Sequence, residues 1–305
     1  MISLKQIKYA LAVGRTLHFR RAADECNISQ SALSTALQDM EQQLGFAVFE
    51  RDNKKVLITP LGQEVLDKAG NIQVQIEDIM RLGQTHGKVL GGPLSMGMIP
   101  TIAPYLLPSL LPGLSQQYPD LQLSVAEQQS HVLVDKVRRG ELDCAVLALP
   151  YNCEGLLTFN FWKENFYWVG HRDMAPSRQP VMHADELADH QLMLLSEGHC
   201  LKDHALAACK MDSQATHSLS ATSLTTLIQL VIGKMGSTLV PEIALEQLVD
   251  IHPCLVKLPL DEPGPHRELA FIIRPNYPNT KNIEALISIA SKQLTNTMKI
   301  DKPAC

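Results

Sequence analysis

Apolar residues in the first sixty positions recur at helical intervals. Leu4, Ile7 and Leu11 share one face of a first helix, and a short second helix is predicted over residues 19–26. Asn27 and Ile28 supply a turn, after which Ser29 occupies an N-cap position, its hydroxyl free to accept from the first backbone N–H groups. In the next helix Leu33, Leu37, Met40 and Leu44 form the buried stripe. Gln30, Ser31, Ser34, Thr35 and Gln38 project from the other side, near the helix start. Gly45 is placed to end that helix. A small hairpin is expected from residues 46–49 and 56–59, with Arg51, Asp52, Asn53, Lys54 and Lys55 at or beside its tip.

From Pro60 to about residue 86 the pattern stays helical with no turn signal. Val65, Ala69, Ile72, Ile76 and Ile79 follow steps of four, three, four and three, the 3.5-residue period of a coiled-coil seam. About 25 residues at a rise of 1.5 Å would span roughly 38 Å, enough to hold two copies of the N-terminal module apart. The plainer alternative is one amphipathic helix lying on its own domain. Gly87, Gly91 and Gly92 mark a hinge.

Beyond Pro93 short apolar strands alternate with helices. Strands are expected at 94–99, 121–126 and 142–149, with helices at 104–117 and 131–139 between them. A second set follows residue 161, with strands near 166–170, 192–195 and 237–240 and helices near 201–209, 224–234 and 242–248. A strand at 268–273 and a helix at about 282–294 are expected to return to the first set. The alternation predicts an α/β domain of two lobes, each on a parallel sheet. Five segments result: residues 1–60, a helix at 61–87, a hinge at 88–92, a lobe of 93–163 plus 268–305, and a lobe of 164–267.

Composition narrows the function. The 305 residues suit about two domains, and 45 % hydrophobic with 19 % charged residues is ordinary for a globular chain. No apolar run reaches the length of a membrane span and no export signal is evident, so a cytoplasmic protein with no membrane partner is expected. The net charge of −5 argues against indiscriminate coating of nucleic acid. Residues 1–60, however, hold eight Lys and Arg against six Asp and Glu, a net of +2, leaving −7 for the remainder. A helix-turn-helix with a basic wing fits double-stranded DNA. The early residues of its second helix would meet base edges, while Arg20, Arg21, Arg51, Lys54 and Lys55 would contact the backbone. A solvated three-helix domain shows the same stripes.

The order and spacing of Ala22-Ala23, Ser29-Gln30, Ser34, Glu41, Leu44-Gly45, Phe49, Arg51, Thr59 and Gly62 resemble the winged-helix signature of LysR-type regulators. The resemblance implies promoter binding, a dimer or tetramer, and a regulatory domain similar to periplasmic binding proteins. One departure stands out. No Lys or Arg lies between Ala22 and Glu50, so base readout would fall to Ser, Thr and Gln.

Seven cysteines without a CxxC form neither a disulfide framework nor a zinc motif, and no metal or cofactor is expected. The chemistry concentrates in Glu197-Gly198-His199-Cys200-Leu201-Lys202-Asp203-His204, with Cys209 following. Buried structural thiols are one reading; Cys209, on the face of Leu201, Ala205 and Ala208, fits it, and Cys144 fits it better. Metal binding by His199, Cys200, His204 and Cys209 has the wrong spacing for structural zinc. A redox switch is the third. Helix N–H dipoles and His199 would favour a Cys200 thiolate while Glu197 and Asp203 oppose it. On a continuous helix the Cα atoms of Cys200 and Cys209 would lie roughly 13 Å apart. A disulfide needs less than about 7 Å, so bond formation would require unwinding. The residues alone leave the core and redox readings level.

Here Gly198-His199-Cys200-Leu201 with Cys209 is similar to the sensing segment of the OxyR branch. So are Ile99-Pro100-Thr101 leading into Pro104-Tyr105-Leu106-Leu107-Pro108, and Ala221-Thr222-Ser223-Leu224. That resemblance implies attack of Cys200 on hydrogen peroxide and resolution by Cys209. It further implies positioning of peroxide by Thr101 and Ser130 beside His199, roles for Asp203 and Arg267 in polarisation and proton transfer, reset by a thiol reductant, and altered contact with RNA polymerase. Thr101 and Ser130 both fall beyond strand ends, where open α/β sheets bind ligands. Two other functions compete: a LysR-type regulator answering a small organic effector, and a thiol peroxidase, which would have no need of a winged helix.

Overall fold

The computed structural model describes residues 1–52, 55–85, 88–176, 180–187, 190–196, 200–208 and 220–300. The chain forms two compact units, Met1–His86 and Gly87–Cys305.

In the first unit α1 (Leu4–Thr16) opens with a capping box, the Ser3 hydroxyl accepting from Gln6 N–H and the Gln6 side chain accepting from Ser3 N–H. The helices α2 (Phe19–Glu25) and α3 (Gln30–Leu44) follow, α3 capped by Ser29 and ended by Gly45 at φ 79°. Leu33, Leu37 and Met40 pack on Ala10, Val13, Ala22, Ala23 and Phe49 in one small core. The wing pairs β1 (Phe49–Asp52) antiparallel with β2 (Lys55–Ile58). Its first strand thus begins where the expected one, at 46–49, ends. The cause is Glu41, whose Oε1 accepts from Val48 N–H at 2.8 Å and Phe49 N–H at 3.0 Å. Those bonds bind the segment before Phe49 to α3, and pairing starts only beyond it.

The helix α4 (Pro60–Thr85) is held at its start by Thr59, whose Oγ1 donates to Ala47 O and accepts from Gly62 N–H. Of the predicted seam, Val65 lies against the core of its own unit, as does neighbouring Leu66, and Ala69 is buried, whereas Ile72 and Ile79 are exposed, Ile79 by 67 %, as is Met80 beside it. The stripe is therefore covered locally at its start and open farther on.

The second unit holds two five-stranded sheets. In the first, with strand order β4-β3-β5-β12-β6, β3 (Pro93–Met98) lies parallel to β4 (Gln122–Glu127) and to β5 (Cys144–Leu149). The strand β12 (Arg267–Ile273) is antiparallel to β5 and to β6 (Leu157–Glu164). The second sheet has order β11-β7-β10-β8-β9, from β7 (Phe166–His171), β8 (Leu192–Leu195), β9 (Ser220–Ala221), β10 (Ser237–Pro241) and β11 (Leu255–Pro259). The helices α5 (Ala103–Gln117) and α6 (Ser130–Arg138) belong to the first sheet, and α10 (Thr280–Ile300) returns to pack on α5. The second sheet carries α7 (Cys200–Ala208) and α8 (Leu224–Ile232), and α9 is only one turn (Leu245–Leu248) behind a 3-10 turn.

Two expectations need correcting. The sheets are mixed rather than parallel, and β6, β9 and β11 went unpredicted. β6 and β11 carry polar or half-exposed alternate positions, Thr158, Asn160 and Lys163 in β6 and Lys257 in β11, so neither shows the fully apolar run of a buried strand. Among the described residues, no helix is long and apolar enough to cross a membrane.

Gly62 supplies a direct test of the first unit. A Cβ there would lie 2.1 Å from the Val48 carbonyl oxygen, a backbone atom that cannot turn aside. Gly62→Ala should destabilise this unit by about 1–3 kcal/mol, the usual range for overpacking. Thermal unfolding followed by circular dichroism checks it, and an unchanged transition would contradict the packing at the start of α4.

Candidate functional site

The candidate DNA-contact residues lie on one small module. Arg20, Arg21, Ser29, Gln30, Ser31, Thr35, Gln38 and Lys55 are exposed, and Ser34 is half-buried. The Ser29 hydroxyl is already engaged by Ala32 N–H at 3.2 Å and Ser31 Oγ at 3.0 Å, so Ser29 holds the helix start. Lys54 lies outside the described residues, as does the Arg51 side chain.

The second site is built where strands of the first sheet end. The chain leaves β3 into the turn holding Thr101, and α6 begins at Ser130 just after β4; both residues are 2 % exposed. α7 opens at Cys200, itself only 5 % exposed. Arg267, the first residue of β12, has its guanidinium fully buried. Its Nε donates to Glu164 Oε1 at 2.7 Å, Nη1 to Thr101 Oγ1 at 3.3 Å, and Nη2 to Thr101 O at 3.3 Å. The guanidinium also lies over the Phe166 ring, 5.8 Å from its centroid.

Of these groups Ser130 and Arg267 act on the Cys200 thiol, and Thr101 is held to the site through Arg267. Burial pushes the thiol pKa above the ordinary value of 9.0, and Asp203 adds to that. The Ser130 hydroxyl, the Arg267 charge and the Ala148 N–H all pull the other way. At neutral pH the resting group is therefore the protonated thiol, facing a cluster that favours its anion. The Ser130 hydroxyl is turned toward that sulfur and has no other hydrogen-bond partner among the described residues, leaving a buried polar atom with capacity to spare. It is open to a ligand bound beside the sulfur.

Of the sequence candidates the fold thus brings together Cys200, Ser130, Thr101 and Arg267. Asp203 is exposed on α7 yet acts on the thiol charge. His199 and Cys209 lie outside the described residues. Cys144 is fully buried in β5, where desolvation holds its thiol protonated, in keeping with a core role. Among the described residues no group of three or more His, Cys, Asp and Glu side chains is placed to hold a metal ion.

Two participants escaped the sequence reading. Glu164 ends β6 as the Lys163-Glu164 pair, which in sequence looks like a solvated strand end; only the returning β12 buries it. His204 had been weighed solely as a metal ligand. It is 3 % exposed, with Nε2 2.9 Å from Pro150 O, so Nε2 carries the proton and donates. Its Nδ1 is buried with no partner among the described residues.

A winged helix-turn-helix followed by a long helix and a two-lobed α/β unit defines the class of DNA-binding regulators that carry a separate regulatory domain. Family models agree over nearly the whole chain. Residues 4–63 match the bacterial regulatory helix-turn-helix protein of the lysR family, and residues 87–295 match the LysR substrate binding domain. The chain belongs to the LysR family of transcription regulators, which bind promoter DNA and oligomerise. It is 38 % identical over 298 residues to the HTH-type transcriptional regulator EstR of Acinetobacter baylyi, covering 97 % of this chain and 98 % of that one. It is 33 % identical over 288 residues to the DNA-binding transcriptional dual regulator OxyR of Escherichia coli, covering 93 % of each. Among solved structures it resembles a full-length OxyR variant from Pseudomonas aeruginosa, with a TM-score of 0.76, 31 % identity and 95 % of each chain covered. A hydrogen-peroxide-bound OxyR variant from Corynebacterium glutamicum is similar with a TM-score of 0.67 and 30 % identity, over 97 % of this chain and 94 % of that one.

His204 makes a pH prediction. Burial holds its folded pKa below 6.5, with the Pro150 carbonyl opposing. The unfolded chain then takes up this proton at higher pH than the folded one, so the residue's stabilisation is present above about pH 6.5 and is lost as pH falls through the folded pKa. Urea unfolding at a series of pH values should show stability dropping on acidification, and dropping less in His204→Gln. Equal slopes would mean that His204 is not buried as the neutral form.

Proposed function

We propose that this chain is a promoter-binding regulator that senses hydrogen peroxide through Cys200 and stores the signal as a Cys200–Cys209 disulfide. What carries the reading is one buried thiol that meets the Ser130 hydroxyl and the Arg267 charge, the guanidinium in turn holding the Thr101 hydroxyl. Peroxide is small and uncharged, so it suits a nearly closed site. Ser130 and Thr101 orient it. Arg267 stabilises both the thiolate and the departing oxygen, and Asp203 at the rim assists the proton's passage. His199 completes the cradle.

In the first step the Cys200 sulfur bonds to one peroxide oxygen as the O–O bond breaks. The thiol proton ends on the other oxygen, which leaves as water, and sulfur is oxidised to sulfenic acid. The Cys209 thiol then attacks that sulfur, forming the disulfide and releasing a second water. Because α7 is helical through Ala208, the pairing demands that this helix unwind. Its refolding changes how subunits, joined through α4 as a dimer and then a tetramer, sit on promoter DNA, and so alters contact with RNA polymerase. A thiol reductant resets the bond by exchange.

A second reading is favoured by one observation. An open cavity of about 670 Å³ lies beside Arg267, lined by Leu149, Pro150, Tyr151, Leu156 and His266, with room for a small organic effector.

Disulfide mapping by mass spectrometry after a brief, dilute peroxide pulse separates the two. A Cys200–Cys209 peptide forming within seconds, and absent in Cys200→Ser, is the expected result, with a changed promoter footprint. Both thiols remaining free while DNA binding is intact would sink the peroxide reading. A small carboxylate or ester that raises the melting temperature would then favour the effector.

A further inference from the structure

Glu164 and Arg267 stand directly opposite one another in the register of β6 and β12. The main chain passes from the first sheet to the second just after Glu164 and returns just before Arg267, so the pair sits on both crossings at once. The carboxylate is fully buried and both its oxygens are used. Oε1 accepts from Arg267 Nε at 2.7 Å, and Oε2 accepts from the Ile243 N–H of the second lobe at 2.9 Å. The backbone is pinned at the same place, with His266 N–H donating to Glu164 O at 3.0 Å and Phe166 N–H to His266 Nδ1 at 2.8 Å.

The Arg267 bonds to Thr101, at 3.3 Å each, are the long ones, and the bond to Glu164 is the short, charge-assisted one. Arg267 also lines the 670 Å³ cavity. Without its carboxylate anchor the guanidinium would be a buried, unpaired charge beside a cavity its own residue lines, and desolvation would favour its moving away from the site.

We propose that Glu164 is a positioning residue that holds the Arg267 guanidinium against Thr101 and Cys200, and that it does so from a carboxylate shared with the second lobe. The proposal rests on Cys200 being the reactive thiol of the site and not on peroxide being its oxidant. Among the described residues the charged and titratable groups that act on that thiol are Arg267 from β12, Asp203 from its own helix and Tyr151 from the loop after β5, with His204 coupled to Arg267 and Asp203.

The test is the pH dependence of Cys200 alkylation by iodoacetamide in the full chain, read by mass spectrometry of the Cys200 peptide. Glu164→Gln, whose amide has a single acceptor oxygen for two donors, should raise the midpoint by about one pH unit as Arg267 leaves the thiol. In an Arg267→Met background the same change should move it no further, since the two residues act as a unit. Glu164→Asp keeps the charge but is shorter. It should move the midpoint in the same direction by less, and it carries the test if Glu164→Gln does not fold. A folded variant with an unmoved midpoint overturns the proposal, as does a lowered one, which would mean Glu164 only neutralises Arg267. Failure of the peroxide reading would leave these alkylation shifts intact.

Discussion

The regulatory unit depends on one buried ion pair. Arg267 and Glu164 carry full charges in a place with no exposure to solvent, beside Phe166 and two strand crossings. Such a pair contributes little net stability compared with apolar residues of the same size, but losing one partner typically costs about 3–5 kcal/mol. What it supplies is geometry. A guanidinium committed at Nε to a carboxylate has its two remaining nitrogens aimed at a single residue, Thr101. The same carboxylate reaches the second lobe through Ile243 N–H. The arrangement of the site and the arrangement of the lobes are thus joined at one side chain.

How much of this was legible beforehand follows from locality. The helices of the first unit were readable because each ends on a local cause: Ser3, Ser29 and Gly45 satisfy or release backbone groups within a few residues. The wing strand was misplaced because Glu41 reaches seven residues ahead, a bond with no periodic trace. In the second unit the strands of uniform apolar character, such as β5 with Cys144 to Leu149, were visible. β6 was not, since its polar positions satisfy themselves at the sheet surface. Cys200 was singled out from its own segment, but its grouping with Thr101, Ser130 and Arg267 came from the resemblance, and nothing in their spacing would have assembled them. Glu164 was missed for a physical reason: its burial is created by a strand beginning 103 residues later.

The thiol also shows why a sequence cannot assign reactivity. Residues near Cys200 in sequence suggested a contest between a helix start and nearby acids. In the folded chain the dominant influence is burial, and the opposing groups come from α6, β12 and β5 rather than from its own segment. Resting protection and poised activation arise from different parts of the fold. The protonated thiol is buried, and the groups that favour its anion are brought to it by the fold.

The return of β12 and α10 to the first sheet has a consequence for biosynthesis. The first lobe is split in sequence, with β12 inserted between β5 and β6, so its sheet stays open until β12, made some hundred residues after β6, has left the ribosome. By then Cys200 and its helix have long been made, and they remain without Arg267. Newly made chains therefore pass through a stage in which the thiol is present and its electrostatic surroundings are not. The surroundings of Cys200 are completed only once β12 has been made.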